Sequence, residues 1–265
     1  MRIDILTAVP EIFFSPLHAS ILQRAQTKGL VTIAVHNLHD WGRKGRIDDY
    51  PYGGGAGMVI RVDVVVAAIR TLSETYGPYD EIIYFTPDGQ KLSQKLLNTL
   101  SLHNKLLLIA GHYKGIDDRI RAYVTQEISI GDYVLTGGEL PALVLIDGIV
   151  RLIPGVLNDV ESALDDSFQD NLLGAPVYTR PPVFEGRRVP EVLLSGDHQA
   201  IARWRWEERL RRTAERRPDL LTDHDAAAAP PPLKPSATSE TPSNTTSLPS
   251  PPAKPSKAAH DTPSE

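Results

Sequence analysis

The chain has 265 residues, of which 41% are hydrophobic and 23% charged, and this usage is that of an ordinary globular protein with a sizeable core. Its formal net charge of −5 excludes a globally basic surface, although a local basic patch can still bind nucleic acid. Cysteine is absent, which excludes disulfides, thiolate nucleophiles and cysteine-ligated metals.

The N-terminal segment and the longest apolar run both argue against a membrane or secreted protein. The start, MRIDILTAVPEIFF, carries Asp4, Pro10 and Glu11 where a secretion signal needs an uninterrupted apolar core. The run Leu140–Val150 contains Asp147 and is too short to span a bilayer. We therefore expect a cytoplasmic protein with no membrane partner.

Strand-like apolar runs alternate with helical patterns through the first half of the chain. Length and β-branched content predict strands at Met1–Thr7, Val31–His36, Glu81–Thr86, Lys105–Ala110 and Val124–Ile130. Apolar spacing of three to four residues predicts helices at Pro10–Lys28, Val62–Tyr76 and Lys91–Leu100. The alternation predicts an α/β domain with a largely parallel sheet, whose ligands bind in the loops after the strands.

After Asp159 the pattern changes, and we predict a second, smaller unit. Residues 1–160 form the α/β domain, residues 161–172 an irregular interdomain linker, and residues 173–225 a helical domain. The main helix of this domain begins near Ser195 or Asp197, either of which can cap it, and ends at Pro218.

Residues 226–265 have the composition of a disordered tail. They contain 10 of the 22 prolines of the chain and only Leu233 and Leu248 as large aliphatic residues. Such a segment cannot bury enough apolar surface to offset the entropy of ordering it. A tether for a partner is the alternative, and a solvated tail is the simpler interpretation.

Glycine-bearing loops follow several of the predicted strands. They are YPYGGGAGM from Tyr50, TPDGQKL from Thr86, AGHYKGIDDR from Ala110 and ISIGDYVLTGGELPA from Ile128. None is a P-loop or a dinucleotide fingerprint, and each alone is more often a turn than a binding site. The eight histidines show no metal-site spacing, so we predict no metal.

Seven motifs occur in an order that resembles one family. They are GGGAGM, TPDGQKL, AGHYKGIDDR, SIGDYVLTGGELPA, RLIPGVL, DDSF and VYTRPPVFEGRRVPEVLLSGDH. Together they resemble the bacterial tRNA (guanine-N1)-methyltransferases of the SPOUT class, from Met1 to about Leu221. The resemblance implies a deep C-terminal trefoil knot in the α/β domain, S-adenosylmethionine bound by the loops of the knot, and an obligate homodimer with composite active sites.

The resemblance assigns the cofactor to three loops whose glycines allow close backbone approach. For Val134 and Leu135 the alternative is plain core packing. The assigned residues are Phe85, Thr86, Pro87, Gly111, Ile130, Gly131, Asp132, Tyr133, Val134, Leu135, Gly137, Gly138 and Pro141.

Two residues match the catalytic positions of the family. Asp166, directly before Ser-Phe, is the general base that removes the N1 proton of guanine. Arg151 stabilises the negative charge that develops on O6. By itself, Asp166 reads as a loop or helix cap, and Arg151 as a helix-terminal cation that complements the dipole.

The segment Arg203–Arg217 holds seven arginines and three glutamates, a net charge of +4 by counting. The family resemblance implies that this domain grips the anticodon arm of tRNA, with Ser195, Arg203, Arg205 and Arg212 among the contacts. The alternative is a solvated helix laced by Glu–Arg pairs, with its tryptophans packed in the core.

The expected product is 1-methylguanosine at the position immediately 3′ of the anticodon, position 37. One departure from the family pattern is Lys114, where many members carry glutamate. Two rival functions remain open: a knotted methyltransferase with another target atom, and a non-catalytic RNA-binding relative.

Overall fold

The computed structural model describes residues 1–157 and 166–221, and a five-stranded parallel sheet forms its centre. The strands are β1 (Arg2–Thr7), β2 (Thr32–Asn37), β3 (Asp48–Asp49), β4 (Val59–Ile60), β5 (Glu81–Lys91), β6 (Lys105–Ile109) and β7 (Gln126–Ser129). The order in the main sheet is β2-β1-β6-β5-β7, and every neighbouring pair in it is parallel. The short strands β3 and β4 form a separate antiparallel pair.

Helices cover both faces of the sheet. They are α1 (Glu11–Leu17), α2 (Ser20–Thr27), α3 (Val62–Tyr76), α4 (Gln94–Leu100), α5 (Glu139–Val150) and α6 (His198–Arg216). Helices α1, α2, α4 and α5 pack on one face, with Ile3 and Ile5 of β1, and α3 packs on the other, with Leu6. The α/β class and the parallel sheet predicted from the sequence are therefore confirmed.

Burial on both faces explains the continuous apolar sequence of the central strands. In β6, Leu106 to Ile109 are all fully buried, since successive side chains enter opposite cores. A strand with one face in water would alternate polar and apolar residues instead.

The predicted helix Pro10–Lys28 is two helices, and this part of the prediction is wrong. Helix α1 contains Pro16, which has no N–H to donate, and the helix ends at Leu17. Ala19 is extended, with φ −124° and ψ 151°, and precedes the separate helix α2. The apolar spacing continues across the break because both helices face the same core.

Two further boundaries differ from the sequence prediction. Strand β5 continues through Lys91 instead of ending at Thr86, with an irregularity between Phe85 and Gln90 where its pairing to β7 shifts register. Helix α4 begins at Gln94, because the Ser93 side chain accepts a hydrogen bond from the Leu96 N–H at 3.3 Å.

The segment that follows residue 165 packs against the rest of the chain. The Asn98 side chain donates to Gln169 Oε1 at 3.0 Å, and the Leu173 N–H donates to Thr213 Oγ1 of α6 at 2.9 Å. Leu172 is buried. A small hairpin, β8 (Val183–Phe184) and β9 (Arg187–Arg188), precedes α6.

Four sequence predictions fall partly or wholly outside the description: residues 158–160 of the α/β domain, residues 222–225 of the helical domain, and two further segments. The first part of the predicted linker and the predicted tail, residues 226–265, lie outside the described residues. None of the helices found in residues 1–157 and 166–221 combines the length and apolar composition of a membrane span.

Candidate functional site

A cavity of about 360 Å³ lies between the irregular part of β5 and the loops that follow β6 and β7. Parallel strands end at the same edge of a sheet, so loops far apart in sequence meet there. Of the residues assigned to the cofactor, all except Asp132 line this cavity: Phe85, Thr86, Pro87, Gly111, Ile130, Gly131, Tyr133, Val134, Leu135, Gly137, Gly138 and Pro141. Asp132 lies outside the lining, and its exposed carboxylate pairs with Lys91 at 3.2 Å.

Close backbone contact between two of these loops requires glycine. The Gly138 N–H donates to Gly111 O at 2.7 Å. A Cβ built on Gly138 would lie 2.8 Å from Cα of Ala110, closer than real Cβ atoms approach. The backbone angle at Gly138 is ordinary, with φ −83°, so the close approach is the reason that glycine is needed here.

Within the part of the chain that the structure describes, the loop that precedes α5 has backbone N–H groups without a partner at residues that line the cavity. Among residues 1–157 and 166–221, no acceptor bonds the N–H groups of Val134, Leu135, Thr136 and Gly137, all of which belong to lining residues. Unpaired backbone groups at a site are available to a ligand with donors and acceptors on its edges, such as adenine. The loop therefore fits the adenosine part of S-adenosylmethionine.

The apolar side chains of this loop are exposed instead of packed in the core. Val134 is 88% exposed, and Tyr133 and Leu135 are also exposed. Core packing therefore does not explain Val134. Exposed apolar side chains beside a cavity are typical of a surface that a ligand or another protein covers.

A buried carboxylate that the sequence analysis did not single out lies next to the cavity lining, between Gly138 and Pro141 in the chain. Glu139, the first residue of α5, is 1% exposed, and Thr7 Oγ1 donates to its Oε1 at 2.9 Å. His112 Nδ1 lies 3.5 Å from Glu139 Oε2 and has no hydrogen-bond partner in the described part of the chain. The motifs GELPA and GHYKG were the only signal for these two residues.

Arg121, which lies between β6 and β7, binds carboxylates of its own segment, of β5 and of β7. Its guanidinium donates to Asp118 Oδ1 at 2.6 Å and to Asp88 Oδ2 at 2.8 Å, and it also contacts Glu127. The hydrogen bond with Asp118 is the main cause that raises the pKa of Arg121. A hydrogen bond from Thr86 holds the pKa of Asp88 below its usual range. This network stabilises the cavity wall through charge-assisted bonds.

The two predicted catalytic residues form an ion pair with each other. Arg151 Nη2 contacts Asp166 Oδ2, and neither residue lines the cavity. Helix α5 begins at Glu139 beside the cavity, and Arg151 is its C-cap. At 1.5 Å per residue, the pair lies about 18 Å along the helix from the end that touches the cavity.

The predicted RNA contacts lie on and before α6. Asp197 is the N-cap, accepting from the N–H groups of Gln199 and Ala200 at 3.0 Å, while Ser195 Oγ accepts from the Asp197 N–H at 3.1 Å. Arg203 and Arg205 are exposed and Arg212 is half-buried.

The fold and the cavity define a class of protein: an α/β protein with a cavity lined by glycine-bearing loops at the carboxyl edge of a parallel sheet, where ligands of such sheets bind. The family model described as tRNA (Guanine-1)-methyltransferase TrmD matches residues 1–223. The chain belongs to this family, which confirms the resemblance drawn from the seven motifs.

Curated relatives agree with this assignment. A tRNA (guanine-N(1)-)-methyltransferase of Bacteroides fragilis is 54% identical over 226 residues, which are 84% of this chain and 100% of that protein. The enzyme of the same name from Flavobacterium psychrophilum is 54% identical over 224 residues, 83% of this chain and 99% of that protein. One from Porphyromonas gingivalis is 53% identical over 226 residues, again 84% and 100%.

Proposed function

We propose that this protein is a tRNA (guanine-N1)-methyltransferase that methylates N1 of the guanosine immediately 3′ of the anticodon, position 37. The methyl donor is S-adenosylmethionine. The observation that carries the proposal is the convergence of nearly all assigned cofactor residues on one cavity, in a chain whose relatives bear this enzyme name. Because tRNA is the proposed substrate, we also propose a cytoplasmic location.

The loop from Ile130 to Gly138 holds the donor through its backbone. The free N–H groups of Val134 and Leu135 suit the edge of adenine, and the exposed side chains of the same residues exclude water from the bound molecule. When bound, S-adenosylmethionine supplies an electrophilic methyl group on a sulfonium. Much of the acceleration then comes from holding the two reactants in line.

Asp166 acts as the general base. N1 of guanine carries a proton, and its lone pair is delocalised into the ring, so methylation requires that proton to be removed. The Asp166 carboxylate accepts it, while Arg151 faces O6 and stabilises the negative charge that builds there. The ion pair between the two side chains supports this assignment, because it keeps both groups within reach of one base.

The active site is completed by a second copy of the chain. Within one chain, α5 separates the ion pair from the cavity by about 18 Å, so one subunit brings the cavity and the other brings Arg151 and Asp166. The outer face of α5 supports this arrangement: Leu140 and Val144 are half-exposed, and α1, which packs against α5, carries Phe14 at 75% exposure. An isologous contact through this face would bury it.

We propose the finer features of the fold on the same basis. The α/β domain, residues 1–160, carries the trefoil knot, and the contact between the Gly111 and Gly138 loops supports a crossing there. Residues 161–172 join it to the tRNA-binding domain, residues 173–225. In that domain, the exposed Arg203 and Arg205 and the half-buried Arg212 contact phosphates of the anticodon arm, and Ser195 lies before the helix N-terminus.

The proposal is tested by methyl transfer to tRNA transcripts that differ only at position 37, followed by nucleoside digestion. We expect 1-methylguanosine from the transcript with guanosine and no product from the one with adenosine. The variant Asp166→Ala should lose about a hundredfold or more in turnover, the usual contribution of a general base, with unchanged affinity for the donor. The neighbouring Asp165→Ala is the matched control and should retain turnover.

Two results would contradict the proposal. A 2′-O-methyl product would favour a knotted enzyme with another target atom. Absence of S-adenosylmethionine binding in calorimetry would favour a non-catalytic RNA-binding relative.

A further inference from the structure

The charged side chains that line the cavity are all basic. Three basic side chains line it, His112, Lys114 and Arg121, and no Asp or Glu belongs to its described lining. A cavity with uncompensated positive charge favours an anionic group on its ligand.

The three basic residues differ in what already binds them. Arg121 is bound by the carboxylates of Asp88, Asp118 and Glu127, and His112 lies beside Glu139. Lys114 is exposed, and no carboxylate of the described residues lies within ion-pair distance of its ammonium. Its charge is therefore the one that is left for a ligand.

The glycine loop from Tyr50 to Met58 positions the Lys114 side chain. The Lys114 N–H donates to Met58 O at 3.1 Å. The Cγ and Cδ atoms of Lys114 lie 2.9 Å from where a Cβ on Gly57 would be, so the stem lies directly along the loop backbone. Its Nζ lies 3.7 Å from the same point on Gly55. The ammonium is thus held at the cavity edge, and no carboxylate in residues 1–157 and 166–221 pairs with it.

We propose that Lys114 binds the α-carboxylate of the methyl donor and thereby orients the amino-acid end of that molecule in the cavity. The inference rests on the proposed function. The donor carries one anionic group, the carboxylate, whereas its ammonium and sulfonium are cations that the unpaired Lys114 repels. The neutral adenosine would pair with the free backbone N–H groups of Val134 and Leu135, and this pairing requires no charged side chain.

Two probes separate the amino-acid end of the ligand from its nucleoside. S-adenosylhomocysteine carries the α-carboxylate and α-ammonium, and 5′-methylthioadenosine keeps the thioether and the nucleoside but lacks both charged groups. Calorimetry with Lys114→Met should show about tenfold weaker binding of S-adenosylhomocysteine, the loss expected for one charge-assisted hydrogen bond, and unchanged binding of 5′-methylthioadenosine. Methionine keeps an unbranched stem along Gly57, so the comparison removes the charge and little packing.

Two further variants test whether the effect depends on the positive charge at position 114. Lys114→Arg should bind both probes as the wild type does, because it restores a cation. Lys95→Met is the matched control: Lys95 of α4 is exposed and does not line the cavity. It should leave both affinities unchanged.

Several outcomes would overturn the inference. Equal losses for both probes would show a general structural role for Lys114, and no loss for either would show no role in binding the donor. A loss confined to tRNA affinity would assign Lys114 to an RNA phosphate instead. If the wild type bound neither probe, the proposed function itself would fail, and this inference with it.

Discussion

At the scale of single residues, Asp166 and Arg151 illustrate how a contact changes the interpretation of two ordinary positions. An aspartate in an irregular segment usually caps a turn, and an arginine at a helix end usually complements the dipole. Here the two side chains contact each other across 15 positions of sequence. A guanine that enters the site would donate its N1–H to Asp166 and accept at O6 from Arg151. The single contact between the two side chains would then be replaced by two contacts with the base.

A second residue-scale feature is a buried carboxylate away from the cavity. Asp4 of β1 is fully buried, and it accepts hydrogen bonds from Arg2 at 2.6 and 2.7 Å, His36 at 2.7 Å and Tyr79 at 2.9 Å. Burial by itself would raise the pKa of Asp4. The hydrogen bonds from His36, Arg2 and Tyr79 outweigh burial, so the pKa lies below its ordinary value of 3.8.

We expect Asp4→Asn to lower the free energy of unfolding by about 2 kcal/mol near neutral pH, because it removes charge-assisted hydrogen bonds from a buried site. A carboxyl group whose pKa is lower in the folded state than in the unfolded state stabilises the fold at any pH above its unfolded-state pKa. This stabilisation disappears as the pH falls through the folded-state pKa. The difference between variant and wild type should therefore shrink below about pH 4, measured by urea unfolding. Asp63→Asn, at an exposed ion pair with Arg61, is the control and should have a much smaller effect. A difference for Asp4→Asn that did not change with pH would contradict this account.

At the scale of elements, the arginines of α6 fall into two groups. Arg211 is bonded to Glu208 and Glu215 along the helix, and Arg209 contacts Asp170. Arg203, Arg205 and Arg212 have no ion pair among the described residues. The Glu–Arg ion pairs of the alternative interpretation are therefore present in α6. They involve other arginines than those assigned to RNA.

We expect the triple variant Arg203→Gln, Arg205→Gln, Arg212→Gln to weaken tRNA binding about tenfold or more and to lower the slope of log affinity against log salt by about three, roughly one for each lost phosphate contact. Filter binding at several salt concentrations measures both quantities. The control is Arg211→Gln, whose guanidinium is already bound within the helix. Equal effects of the control and of one assigned arginine would show that the helix acts only through its overall charge.

At the scale of the whole molecule, α5 determines how the site can be assembled. Its first residue lies beside the cavity, and its C-cap, Arg151, belongs to the proposed catalytic pair, so the two parts of the proposed site lie at opposite ends of one helix. Exposed apolar residues of α5 and α1 offer an apolar face that a second copy could cover. The composite homodimer that we propose would account for both the separation and the exposure.

Mixed dimers test this arrangement. Asp166→Ala removes the base, and Gly138→Val disrupts the cavity, since even a Cβ there lies 2.8 Å from Ala110 Cα. Each variant alone should be inactive. Co-expressed in equal amounts, they should recover about a quarter of wild-type activity, because half of the dimers are mixed and each of these has one intact site.

Purification through two different affinity tags isolates the mixed dimer for this measurement. No recovery in a dimer shown to contain both variants would place the cavity and the base of each site in a single chain. The composite proposal would then be wrong.

Much of this protein was predictable from local pattern. The five strands of the main sheet follow from β-branched apolar runs, and their burial on both faces follows from the absence of alternation, as in β6. The assigned cofactor loops were identified by motif and mostly reach one cavity. The break at Pro16 was missed because both helices keep their apolar face toward the same core, so the spacing carried no sign of it.

Apolar periodicity and motif order were sufficient for the class of fold and for the family, because both depend on residues that are near one another along the chain. Which residues touch was decided only by the tertiary structure. The approach of Gly138 to Ala110, the pairing of Arg151 with Asp166 and the contact of the Lys114 stem with Gly57 each join separate segments. Such contacts depend on how strands and helices pack, and no local spacing encodes the distance between them.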